Sequence, residues 1–132
     1  GTHTPMIAYW PGKTAGNGWT NHVGHLIDFT PTLLELAGVE IPKALPGRSL
    51  VPAIKGEEID RPWPIYWQFG GSSAMRDHDW KIVRNGKKAS WELYDLSQDP
   101  TEMNDLASAD SDRTAKMATQ WETWWADKGK VE

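Results

Sequence analysis

Three observations in the 132-residue chain predict an α+β fold. Between residues 61 and 96, short aromatic-rich stretches with partial period-two alternation are separated by turn signals, the pattern of an antiparallel meander. Residues 112–128 repeat large apolar side chains at helix spacing. Pro31-Thr32-Leu33-Leu34, followed by Leu36, Ala37 and Gly38, reads as a second helix with a left-handed stop. The expected layout is a strand, a helix, a long connector, then a four-stranded antiparallel sheet packed on a C-terminal helix. The expected division is 1–60 and 61–132.

Taken in order, residues 5–10 (Pro-Met-Ile-Ala-Tyr-Trp) form an apolar run closed by Pro11-Gly12. Such a run predicts a buried strand covered on both faces, yet no neighbour for it follows in the sequence. Residues 13–24 carry Gly16, Gly18 and Gly24 and read as a surface loop. In the helix of 25–38, Pro31 suits the first helical position and Thr30 the cap. Leu33, Leu34, Leu36 and Ala37 supply its apolar face, with Ile27 and Phe29 placed to staple its start. Pro42, Pro46, Pro52 and Pro62 mark 39–62 as an irregular connector, with one helical turn near Val51–Lys55. The four strands fall at Trp63–Phe69, Ser72–Arg76, Trp80–Arg84 and Trp91–Leu96. Asp77-His78-Asp79 supplies a tight turn and Asn85-Gly86 a hairpin signal. In the last helix Met117, Ala118, Trp121, Trp124 and Trp125 share one face, which would cover the meander, and Ser111 or Asp112 would cap it.

Composition narrows the function. The chain has no cysteine, which excludes disulfides and thiolate zinc sites. A net charge of −4 argues against a basic nucleic-acid face. No stretch approaches the about 20 consecutive apolar residues of a membrane span. Nine tryptophans argue for a folded chain, and raise the question of sugar binding.

Candidate chemistry is sparse. His22 and His25 lie three apart near Asp28, but Gly24 interrupts the helix that would align them, so a metal site gives way to helix-start residues. His78 reads as a solvated turn residue between acids. The carboxylate pairs Glu57/Glu58, Asp77/Asp79 and Asp110/Asp112 read as surface, since acid–base work needs carboxyls facing across a cleft. There is no Gly-x-Ser-x-Gly elbow, no phosphate loop and no dinucleotide fingerprint. Gly70-Gly71-Ser72-Ser73 reads as a flexible hairpin loop ahead of an anion cradle. Trp80, Trp91, Trp121 and Trp125 read as core, whereas Trp19 and Trp67 could be stacking platforms.

Five ordered segments resemble the sulfatase family. They are 1–12, ending in an apolar run and Trp-Pro-Gly; 22–38, with Asp28, two residues, Pro-Thr-Leu-Leu and then Leu-Ala-Gly; 45–50, Leu-Pro-Gly-Arg-Ser-Leu; 74–83, with Trp-Lys-Ile-Val; and 91–106, Trp-Glu-Leu-Tyr-Asp-Leu then Asp-Pro-Thr-Glu. Together they resemble the C-terminal part of an arylsulfatase. The resemblance implies an alkaline-phosphatase-like α/β core whose end is 1–60, with 61–132 as a smaller subdomain. It implies a parent that hydrolyses sulfate esters with a formylglycine and a calcium ion. The chain has no Cys/Ser-x-Pro-x-Arg motif for a formylglycine, and no adjacent aspartate pair of the calcium-binding kind. The family's catalytic lysine would fall just upstream of Gly1. The expectation is therefore a scaffold and pocket wall, inactive alone, with no catalytic residue, metal ligand or cofactor of its own.

The same resemblance gives His3, close after that lysine, and Gln68 with Gly70 and Gly71, on the loop pointed toward the site, as substrate-binding candidates. Expected partners are the rest of a sulfatase chain and a sulfate ester, with no nucleic acid and no membrane. The unpaired run at 5–10 invites a homodimer or strand swap. A bacterial periplasmic or secreted source fits a chain with neither cysteine nor an Asn-x-Ser/Thr sequon. The competing reading is a stand-alone tryptophan-rich carbohydrate-binding module.

Overall fold

The computed structural model describes residues 4–14, 18–62 and 64–128. The chain divides into two compact units, Gly1–Arg61 and Pro62–Glu132.

In the first unit a 3-10 turn, Leu26–Asp28, runs into helix α1, Phe29–Leu36, and a one-turn helix α2, Val51–Lys55, follows a long connector. The helix start differs from expectation. Thr30 is not the cap. His25 precedes the 3-10 turn and forms a capping box: its ring accepts from the Ile27 N–H, while the Asp28 carboxylate accepts from the His25 N–H. Pro31 sits on the buried side one turn in, beside Thr32. At the far end Gly38 adopts φ +68°, the left-handed stop that its position predicts. Leu33 and Leu36, expected on a buried face, are exposed, as are Ile27 and Phe29.

The strand expected at 5–10 is not formed. A strand needs a ladder partner for its N–H and C=O groups, and residues 5–10 pair with no strand of the one sheet among the described residues. Met6, Ile7 and Tyr9 are accordingly exposed, Ile7 almost fully at 94%. The turn that closes the run is present: the Trp10 carbonyl accepts from Lys13 and Thr14, around Gly12 at φ +72°.

The second unit is a four-stranded antiparallel sheet whose strands lie side by side in chain order, with a long helix α3, Ser111–Lys128. The strands are β1, Ile65–Phe69; β2, Ser72–Asp77; β3, Trp80–Arg84; and β4, Glu92–Asp95. Register places Tyr66, Met75, Ile82 and Leu93 side by side across all four strands. Those last three, fully buried, meet Met117 and Trp121 of α3 to form the core. Trp91, Trp80 and Trp124 pack around it, and Tyr66 stacks on Trp124 with centroids 4.6 Å apart. Trp125 is more exposed than a core residue, at 44%.

Turn chemistry explains the connections. Gly70, φ +56°, opens the two-residue β1–β2 link, and His78, φ +54°, sits in the β2–β3 link. Asn85-Gly86 does not make a two-residue hairpin: β3 and β4 are joined by residues 85–91, with Gly86 at φ +108°. The open edge of β4 is covered, because the Leu93 N–H donates to the Asp105 carboxylate and the Leu93 carbonyl accepts from Leu106, at 2.9 and 2.8 Å. The α3 cap is Asp110 rather than Ser111 or Asp112. Its carboxylate accepts from the Arg113 N–H, and Arg113 closes back on it at 2.7 Å. Among the described residues no helix is long and apolar enough to cross a membrane.

Candidate functional site

The most buried charge of the first unit is Asp28, fully inaccessible at the start of α1. Its carboxylate accepts from the His25 N–H at 2.7 Å, from the Arg48 N–H at 2.9 Å, and from the Arg61 guanidinium. Arg61 also donates through Nε to the Val23 carbonyl, 2.9 Å. One turn on, Thr32 donates to the Asp28 carbonyl and accepts from the Leu50 N–H, 2.8 Å. Gly47 is required here: a Cβ would collide with the Ile27 carbonyl. The Asp-x-x-Pro-Thr segment and the Pro-Gly-Arg-Ser-Leu segment are therefore two halves of one lock, joined by Asp28 and Thr32.

That arrangement removes Asp28 from any metal site with His22 and His25. His25 holds the helix start and its pKa is lowered, first by burial, and further by Arg61 against the opposing pull of Asp28. His22 lies near Glu58 instead, 3.7 Å. Among the described residues no three His, Cys, Asp or Glu side chains converge as a cation would need. Among the described residues no set of side chains fits the calcium ion that the resemblance implies, and no reaction step is routed through it.

In the second unit the Asp99-Pro100-Thr101-Glu102 segment is structural. The Asp99 carboxylate accepts from the Met103 and Asn104 N–H groups, 2.7 and 2.8 Å, and is held below the usual carboxylate range chiefly by the Asn104 bond. Glu102, at φ +60°, places both carboxylate oxygens on the buried Lys81 ammonium, 2.6 and 2.7 Å. Tyr94 is pushed up to about 12 by burial and by its hydrogen bond to Glu92, which removes it as a base at neutral pH.

One cleft gathers the candidate binding residues. It has a volume of about 550 Å³ and opens between the tips of two strand connections and α3. Gln68, Gly70 and Gly71 line one side, with Ser73 beside them. Trp121, Trp125, Arg84 and Lys87 form the rest. A directed chain of hydrogen bonds fixes the rim: Arg84 Nη2 to Ser73 Oγ (3.4 Å), Ser73 Oγ to Gln68 Oε1 (2.8 Å), Gln68 Nε2 to the Gly70 carbonyl (2.9 Å). Register makes this possible, since Gln68, Ser73 and Arg84 are direct cross-strand partners. The Arg84 guanidinium lies over Trp91 and Trp121, 4.6 and 5.3 Å from their centroids. Trp125 stacks beside Trp121 at 5.9 Å.

Arg84, Lys87 and Trp125 escape a reading of the sequence as binding residues. Their signals are spacing: Arg84 two residues after core Ile82, Trp125 four after core Trp121. Of the other candidates, His3 lies outside the described residues. Trp19 is exposed at 97%, and Trp67 is half-buried, its carbonyl accepting from Trp121 Nε1.

Comparison with known proteins agrees with this architecture. Residues 1–124 match the family described as N-sulphoglucosamine sulphohydrolase, C-terminal. Arylsulfatase K of Bos taurus is 31% identical over 88% of this chain and 24% of its own length. An N-acetylglucosamine-6-O-sulfatase of Bacteroides thetaiotaomicron is 28% identical over 77% of this chain and 21% of its own. The solved structure of a 2-O GAG sulfatase superposes with a TM-score of 0.58 at 24% identity, covering 78% of this chain and 25% of that one, a likeness of fold. The chain spans about a quarter of the length of the curated relatives it matches.

Proposed function

Because the chain belongs to the N-sulphoglucosamine sulphohydrolase C-terminal family, we propose that it works as the C-terminal part of a longer enzyme that hydrolyses sulfate esters. In that enzyme it is scaffold and one wall of the substrate pocket. Residues 1–60 are the end of the sulfatase core and 61–132 the antiparallel-sheet subdomain. The nucleophile and the calcium site belong to the rest of the enzyme, and no bond-making step is assigned to residues of this chain.

The observation that carries the pocket-wall role is the convergence of Gln68, Gly70 and Gly71 on one cleft with two cationic side chains. Gln68 orients a substrate hydroxyl through its amide, and the glycines let backbone approach closely. His3 supplies a further contact near the reacting group. The exposed apolar stretch 5–10 is the surface through which two copies pair or exchange strands. A bacterial periplasmic or secreted location completes the reading; a bacterial sulfatase among the relatives fits the bacterial source alone.

The test is kinetic. In the full-length enzyme, Gln68→Ala is expected to lower kcat/KM for a sulfated sugar about fivefold or more, while hydrolysis of 4-nitrophenyl sulfate changes little, since the lost contact is to the sugar. An unchanged ratio between the two substrates removes Gln68 from the pocket; His3→Ala answers the same question for His3.

A further inference from the structure

Asn85-Gly86 carries a hairpin signal that the fold does not use as a tight hairpin, since the link between β3 and β4 runs over residues 85–91. The pair stands where β3 ends. Asn85 is exposed, and so are residues 87–90. Register brings Ser72 opposite: Ser73 pairs with Arg84, and the next residues outward are Ser72 and Asn85. The Ser72 hydroxyl donates to Asn85 Oδ1 at 2.9 Å. A donor on an amide oxygen draws electron density from the amide carbon and stabilises the oxyanion that forms when a nucleophile adds there. Asn85 Nδ2 has no hydrogen-bond acceptor among the described residues, so nothing holds it back as a leaving group. The nucleophile next in the chain is the backbone nitrogen of Gly86. Gly86 has no Cβ to block ring closure, and its φ of +108° lies where only glycine rotates at little cost. Lys87 and Lys88 follow directly, and positive charge favours the anionic forms of the reacting groups.

We propose that Asn85-Gly86 is a self-modification site, at which the chain converts Asn85 to aspartate or isoaspartate with the Ser72 hydroxyl assisting. The Gly86 nitrogen bonds to Asn85 Cγ. Collapse of the tetrahedral adduct breaks the Cγ–Nδ2 bond, and ammonia leaves with the proton that Gly86 gives up. The product is a cyclic succinimide. Water, the only co-reactant, then opens it. Breaking the bond to Cγ gives aspartate; breaking the bond to the main-chain carbonyl carbon gives isoaspartate. Nothing is oxidised or reduced. Either product adds a negative charge between Arg84 and Lys87 in the sequence, and isoaspartate lengthens the main chain by one methylene where the 85–91 link begins.

The chain can be incubated in heavy-oxygen water at neutral and mildly alkaline pH, then digested and mapped by mass spectrometry. Each conversion leaves labelled oxygen in the new carboxyl group. Asn85 is expected to convert about tenfold faster than Asn104, which is also exposed but precedes Asp105 rather than a glycine. Ser72→Ala should slow Asn85 about threefold or more, and Ser72→Thr should restore the rate. Asn17-Gly18, the other Asn-Gly pair, should react alike in all three proteins, and in urea the Ser72 effect should vanish. Circular dichroism confirms that each variant is folded. Absence of label at Asn85 overturns the proposal, as does label at Asn85 no faster than at Asn104. A rate at Asn85 that Ser72→Ala leaves unchanged or raises overturns it too, because the bond would then be neutral or protective. So does a Ser72 effect that persists in urea or appears equally at Asn17.

Discussion

In the first unit one buried carboxylate gathers two backbone N–H groups and a guanidinium, while leucines of the adjoining helix face outward. In the second unit three strands and a helix close over Met75, Ile82, Leu93, Met117 and Trp121, a cluster with no charged member, and the buried Lys81–Glu102 pair lies outside it. The first unit therefore takes its shape from directional polar contacts, which specify geometry but contribute little net free energy each. The second takes it from apolar burial, which is additive and insensitive to direction. What the contrast teaches is that the segments by which the chain is recognised serve different physical ends. Asp28, Thr32 and Gly47 lock a backbone path; Trp80, Ile82 and Leu93 fill a core.

Asp28→Ala gives the largest expected effect. It leaves the Arg61 guanidinium buried without its partner and costs about 3–5 kcal/mol. Hydrogen exchange should show the loss over residues 18–61, with the sheet amides unchanged; a uniform loss over the whole chain would erase the contrast. Ile82→Ala should cost about 2–4 kcal/mol through the cavity left in a fully buried site. Urea unfolding followed by tryptophan fluorescence reads it, and protection of the His25 and Arg48 amides should survive. Glu102→Gln comes next, at about 1–3 kcal/mol, because Lys81 keeps an acceptor but loses its counter-charge. A drop no larger than that of an exposed control such as Glu122→Gln would show that the pair contributes nothing.

The smallest effect is a pH dependence. His25 has its pKa lowered in the folded chain, so the unfolded chain binds the proton first as pH falls. Stability of the first unit is thus undiminished above pH 6.5 and declines as pH falls below it, until the folded-state pKa is passed. His25→Asn, which keeps a cap acceptor, should flatten that decline in hydrogen-exchange protection of Ile27; an equal decline in both proteins would assign it elsewhere.

Much of the second unit was legible in the sequence. Period-two stretches gave the four strands in order, and Met117, Trp121 and Trp124 at helix spacing gave the face that α3 buries. The failures have physical causes. The run at 5–10 shows that apolar residues announce a wish for burial, but not whether a partner strand is within reach. Asn85-Gly86 carried the signal of a tight hairpin, yet Lys87, Lys88 and the residues after them extended the link to 85–91. Caps were misplaced by one or more residues because His25 and Asp110 act through side-chain bonds that propensity does not rank. The cleft was half visible. Gln68, Gly70 and Gly71 came from the family resemblance, whereas Arg84 joins them only through strand register and Trp125 only through the docking of α3.

The most direct test of the functional reading is sulfate release from 4-nitrophenyl sulfate, measured for the 132-residue chain and for the full-length enzyme side by side. Release by the full-length enzyme and none by the chain is the predicted result, since no described residues here form a metal site or carry a nucleophile motif. Sulfate release by the chain alone would contradict it.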